Sequence, residues 1–410
     1  MRFGGGTFLV VFLTLLFLAL SLSSNAVQPE NLIPKVRALW VVRYSLSSPE
    51  QVQRVVQLAH DSDFNTLFVQ VRGRGDAWYE SKLEPRAEAL ADQPASFDPL
   101  ATIIQKAHQV GIKVIAWVNA YLVWTGERLP KAKNHIMNAH PDWISHDKWG
   151  HFSMVNDGRV EGAYLQPSNP AVQNHLYKVY LDIAKRYDID GIHFDFIRYP
   201  NSDYDFSDST LLRFKKYMDK RITASGREAV EKDGGKLAYV HTFPDQWEKW
   251  RAQQVTNLVK RISEGIRRIK PNIEISAAVF PDPKTAAVDK GQDWSDWMKK
   301  GYLDAVCPMA YSQNTDLVLK QIKEDIQAAY GHKVYAGLGS WRLSPEDTVD
   351  KIRKVMDLGV NGICLFSYDD LTQNGKTNSY LAYIDKHCFT HASTQSASMD
   401  QPVEPPHPVR

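Results

Sequence analysis

Asp195 closes the strand-like part of DGIHFDFIRYP, the run from Asp190 to Pro200, in which apolar residues interleave with Asp190, His193 and Asp195. This pattern reads as a short buried strand emptying into a Tyr-Pro turn, and it delivers a carboxyl group to whatever lies beyond the strand end. One carboxyl can give or take a proton, but dividing proton donation from charge stabilisation needs a second acid in a different environment. Other acids follow strand-like runs at Asp76, Asp282 and Asp369, with Asp370 adjacent to the last. Asp76 is the expected partner, from an Arg- and Gly-rich loop. Binding-type side chains recur at the same ends: Arg72, Asn119, Tyr121, His193, Arg198, Tyr311 and Trp341, with Arg43 and Tyr44 after the first run. A single Asp after a strand is usually a helix cap or turn former. Recurrence around one rim gives the set its weight. Carboxylates, arginines and aromatics without a cofactor motif suit a polysaccharide and glycoside chemistry. Asp190 precedes its strand and is assigned to the opposite, stabilising end.

Eight strand-like runs would have to position these residues, starting at Arg37, Thr66, Lys113, Gly191, Glu274, Asp304, Lys333 and Gly362. Amphipathic stretches with Ser or Asp followed by Pro separate most of them, the start signals of helices. Alternation of this kind predicts an α/β fold, a TIM (β/α)8 barrel whose active site lies at the strand C-termini. An open doubly wound sheet is disfavoured because no Gly-rich phosphate loop follows the first strand. Two intervals exceed what one helix needs: Val123 to Asp188 after strand three and Asn201 to Asn272 after strand four. These insertions are expected to wall a cleft. The first carries Trp124, Trp143, Trp149 and Tyr164; in the second, Trp247 and Trp250 are expected to pack a helix.

The 410 residues carry a net charge of only +2, which removes the electrostatic case for nucleic acid or an anionic membrane surface. Arg2 precedes the apolar run TFLVVFLTLLFLALSL, and SSNA supplies small residues at Ser24 and Ala26. Residues 1–26 therefore read as a signal peptide, with the mature chain extracytoplasmic, periplasmic or secreted, and without a stable membrane anchor. Residues 391–410 are small, polar and Pro-rich, and read as a disordered tail after a barrel domain over 35–388. Cys307, Cys364 and Cys388 offer no zinc pattern, and the first two are expected as buried thiols. His135, His140, His146 and His151 are spaced unlike ligands on a helical face and read as solvated loop residues. No G-x-S-x-G elbow occurs, and neither cofactor nor metal is expected.

Taken in order, RALWVVRYSLSS, FVQVRGRGDAWYESKLEP, DPLATIIQKAHQVGIKVIAWVNAY, LQPSNPAV, YDIDGIHFDFIRYP and CPMAYS resemble the glycosyl-hydrolase-like family ten proteins, across roughly Lys35 to Cys388. The resemblance implies a TIM barrel, hydrolysis of peptidoglycan strands, and functional weight on Asp76, Asp195, Arg198 and Tyr311. Many members look like FDD where Phe196 follows Asp195 here. A weaker likeness to the family-eighteen chitinases fails at His193, which replaces the middle acid, and at Ile197, which stands where their proton donor would be. With no glutamate at the expected strand ends, a catalytically inactive cell-wall glycan-binding protein is the alternative.

Overall fold

The computed structural model describes residues 33–154 and 158–389. The expected leader (1–26) and tail (391–410) lie outside them. Eight strands close in strict chain order, every neighbouring pair parallel: β1 Val36–Val41, β2 Thr66–Arg72, β3 Lys113–Asn119, β4 Gly191–Asp195, β5 Glu274–Val279, β6 Ala305–Ala310, β7 Lys333–Leu338 and β8 Gly362–Leu365. The fold is the TIM barrel that the alternation predicts.

Period-two alternation explains why each strand is buried on both faces. Leu39, Val41, Leu67, Val69, Ile192 and Phe194 join the large core beneath the helices. Trp40, Phe68, Ile115, Trp117, Cys307 and Tyr335 pack together inside the barrel. One layer higher, the inward positions turn polar at Gln70, Asn119 and Asp195, which marks the functional end. Surrounding helices begin with the Ser or Asp caps read in the sequence, Ser48, Asp98 and Ser344, and also with Asn169; each accepts a backbone N–H, and a Pro opens the helix that follows.

Both long insertions are present. That after β3 forms a two-stranded antiparallel ribbon, Leu122–Trp124 with Ala163–Tyr164, before the helix Pro170–Arg186. That after β4 carries four helices, of which Pro244–Ile269 is the longest. Trp247 and Trp250 pack with Phe206, Phe214 and Met218 in a separate small core, as expected. Asp190 stands before β4, accepting from Val114 N–H at 2.8 Å and pairing with His108, so it braces the opposite end of the barrel. Cys307 and Cys364 are free and buried. Among the described residues, no helix is long and apolar enough to cross a membrane.

Candidate functional site

At the C-terminal mouth a cavity of about 340 Å³ opens above the interior layer. Trp40, Trp117, Phe196, Tyr311 and Phe366 supply aromatic walls, while Arg43, Gln70, Asn119, Glu161, Asp195 and Arg198 supply its polar groups. The strand ends present most of these, because the last inward residue of a barrel strand has only the mouth to face.

Asp195 is 7% exposed, and both its carboxyl oxygens are occupied. Trp117 donates its indole N–H to Oδ2 at 2.9 Å, and the Phe196 backbone N–H reaches Oδ1 at 2.6 Å. Phe196 attains this with a φ of 47°, the left-handed region that a bulky residue enters at a cost of about 1–2 kcal/mol. Asp tolerates that conformation better, which gives a physical sense to the FDD pattern. Here the Phe196 ring lies against the Arg198 guanidinium instead, 4.5 Å from its centroid. Burial raises the Asp195 carboxyl to about 6, although Arg198 and the two N–H donors favour the anion.

Sequence reasoning missed Glu161. It stands in the β3 insertion, just before the ribbon strand Ala163–Tyr164, and lines the same cavity. Tyr164 donates to its Oε2 at 3.0 Å, and Arg198 lies 3.4 Å from its Oε1. Burial opposes its charge, but Arg198 and these hydrogen bonds outweigh that and hold the carboxyl below its usual range. Gly162 lets the chain pass close to the Trp124 carbonyl, where a Cβ would have no room. The signal available in advance was the VEGAY run beside Tyr164, an acid and a glycine next to an aromatic, but no strand end pointed to it.

Asp76, Asp282 and Asp369 do not line this cavity. Asp76 is buried and accepts from Arg74 N–H at 3.2 Å within its own loop. Asp282 caps the helix Pro283–Lys290, accepting from Lys284 and Thr285. Asp369 ties the end of β8 to that of β1, through Val42 N–H at 2.8 Å and the Ser45 hydroxyl at 2.5 Å. Asp76 and Asp282 meet the ordinary fate of an Asp near a turn or helix end, whereas Asp369 is a long-range structural tie.

The expected binding residues divide. Asn119, Arg198 and Tyr311 line the cavity. Trp341, 37% exposed, sets its ring edge-on to Tyr311 at 5.0 Å and extends the aromatic wall outward. Arg72 is instead fully buried in a fork on Glu84, at 2.7 and 2.6 Å, and also donates to the Asn119 and Ala120 carbonyls. Burial would raise Glu84, yet Arg72 and His175 pull it to about 2, so the pair is a structural brace under the rim. Tyr121 is enclosed in the core, and its hydroxyl has no partner among the described residues. His193 lies inside the barrel below the cavity, bonded to the Ser276 hydroxyl at 2.9 Å, and burial lowers it to about 3, a neutral imidazole. The insertion histidines are not uniformly solvated: His135 is 1% exposed and approaches the Arg74 carbonyl at 2.8 Å, because its ring nitrogen caps the turn at Met137. Among the described residues, no group of three or more His, Cys, Asp or Glu could hold a metal ion.

Two acids on one aromatic-walled cavity, pushed toward opposite protonation states, can divide proton donation from charge stabilisation. Comparison with known proteins bears on the family and the fold. Glycosyl hydrolase YngK of Bacillus subtilis is 24% identical over 377 residues, covering 82% of this chain and 66% of its own. Glycosyl hydrolase DigH of Escherichia coli K12 is 25% identical over 361 residues, 78% of this chain and 75% of its own. The chain thus spans about two thirds to three quarters of these relatives' length. Among solved structures, the glycoside hydrolase domain of PgaB (BpsB) from Bordetella bronchiseptica superposes with a TM-score of 0.63 at 13% identity, covering 86% of this chain and 99% of that one. The catalytic domain of β-amylase from Paenibacillus polymyxa gives 0.59 at 14%, covering 88% and 99%. At such identities these two likenesses speak for the fold alone. The family described as Glycosyl hydrolase-like 10 matches residues 35–334, and the chain belongs to it.

Proposed function

We propose that this protein is an extracytoplasmic glycoside hydrolase that cleaves glycosidic bonds in polysaccharide, specifically the glycan strands of peptidoglycan, with Asp195 and Glu161 as its working pair. The observation that carries the reading is the split between them: a carboxyl raised to about 6 by burial and one held low by Arg198, on the same cavity. Near neutral pH the first can protonate the leaving oxygen while the second, already anionic, meets the positive charge that develops at the sugar carbon. Trp40, Trp117, Tyr311 and Phe366 suit the apolar faces of sugar rings. The peptidoglycan substrate rests on the motif resemblance, and the location on the apolar leader sequence.

Purified glycan strands, with and without stem peptides, are incubated with the parent and with Asp195→Asn and Glu161→Gln, and products are read by mass. Release of shorter glycans by the parent, with turnover down at least ~10²-fold in each variant, is expected. Binding without cleavage by the parent would favour the glycan-binding alternative. Parent-like rates in both variants would remove the assigned pair.

A further inference from the structure

We infer that Arg43 is a specificity residue that binds a carboxylate carried by the substrate, so that the cavity selects an acidic sugar over its neutral counterpart. The inference rests on the glycosidase reading of the cavity and extends it to substrate charge.

Arg43 follows β1, lines the cavity and is 9% exposed. Its two hydrogen-bond partners are neutral: Gln70 Oε1 at 2.6 Å and the Tyr44 hydroxyl at 3.0 Å. Its Nε has no partner, and among the described residues no carboxylate pairs with it. The contrast with the other arginines is direct. Arg72 is neutralised by Glu84, and Arg198 by Glu161. A guanidinium offers more N–H donors than two acceptors can use, and a buried cation without an anion is costly. A ligand carboxylate would supply both the missing charge and the missing acceptors, in the forked geometry that arginine favours.

The surroundings hold the group ready. The Tyr44 ring lies under the guanidinium, 4.4 Å from its carbon, and Gly73 leaves the space that its side chain fills: a Cβ there would stand 2.6 to 2.8 Å from Arg43 atoms. The charge balance points the same way. With Asp195 protonated as the acid, the cavity holds Arg43 and Arg198 against Glu161 alone, a residual positive charge that an anionic substrate would cancel.

The test uses the full chain and two acidic probes, a muramic-acid tetrasaccharide with free lactyl carboxylates and a tetraglucuronate, each beside the same oligosaccharide with its carboxyls reduced to alcohols. Binding is measured by calorimetry, and hydrolysis by mass. The parent is expected to bind at least one acidic probe roughly tenfold or more tighter than its reduced form, as expected for a charge-assisted fork. Which probe shows the preference tells whether the carboxylate sits on a lactyl ether or on the ring. Arg43→Gln should bring acidic and reduced forms within about twofold while retaining affinity for the reduced one, and Gly73→Ala, which displaces Arg43, should do the same. Equal binding of acidic and reduced forms by the parent overturns the inference whatever the variants do. Hydrolysis of both forms with equal kcat/KM would do so while leaving the glycosidase reading intact; absence of any hydrolysis by a parent that still prefers the acid would overturn that reading alone.

Discussion

Replacing Asp195 with Asn changes stability in a way that depends on pH, and the dependence separates an acid held neutral from a permanently charged rim residue. The carboxyl rises from about 3.9 in solvated aspartate to about 6 in the fold. The folded state therefore binds its proton more tightly than the unfolded chain. The stability this confers is fully present below pH 4 and is lost as pH rises through 6. At about 1.36 kcal/mol per tenfold in affinity, the loss is roughly 3 kcal/mol. Asn has no such loss, but it carries one oxygen where Asp195 offers two. Either the Trp117 indole or the Phe196 N–H then faces an amide NH₂, which costs about 1–3 kcal/mol. At pH 4 that cost stands alone, and the variant should be the weaker protein. At pH 8 the two effects oppose each other and the variant should match or exceed the parent. Urea denaturation at both pH values measures the change, expected near 3 kcal/mol between them, with turnover down at least ~10²-fold throughout. A stability difference that stays the same from pH 4 to pH 8 would show that Asp195 does not titrate there, and the proton-donor role would fall with it.

Glu161 must be ionised to act and Asp195 protonated, so activity should fall below the first titration and above the second. Arg198 holds both carboxyls down, and Arg198→Gln is therefore expected to move both limbs of the kcat/KM profile to higher pH; an unmoved profile would dissociate Arg198 from the pair. Arg72→Ala leaves Glu84 buried without its main counter-charge, and should cost about 3–5 kcal/mol in denaturant, whereas a loss under 1 kcal/mol would contradict the brace. Asp282→Asn weakens a helix cap by about 1 kcal/mol or less and should leave turnover at the parent rate, a direct check that this acid is outside the chemistry. Trp341→Ala should raise KM for long glycan while leaving kcat within about twofold, since the ring extends the wall beyond the reacting bond.

The barrel was legible because each strand is a near-continuous apolar run followed by a capped helix, and these are local signals. Asp195 was legible for the same reason: it is the last inward residue of its strand. Which acid faces it was not, because that depends on where an insertion folds back. Glu161 reaches the mouth from a ribbon whose partner strand lies about forty residues earlier, a long-range pairing that no local period records. Arg72 illustrates the converse. Its type and position matched a ligand-binding arginine, but Glu84, in a loop with no periodicity, had already claimed it. The neutral surroundings of Arg43 were invisible for a related reason, since an unmet charge shows only once every neighbour is known.

The ribbon Leu122–Trp124 with Ala163–Tyr164 also sets how the proposed activity should fail. Asp195 ends a strand of the closed barrel, whereas Glu161 stands just outside a two-residue ribbon strand, its side chain half exposed and held by the Tyr164 hydroxyl and Arg198. The two acids thus belong to units of unequal opening free energy. Mild denaturant should separate them before the barrel yields, so that inactivation precedes the loss of global circular dichroism, and amides of the ribbon should exchange faster than those of β4. A barrel that tolerates changes in this insertion could then gain, lose or re-aim its second carboxylate without rebuilding its floor, a division between an inherited scaffold and a replaceable reagent.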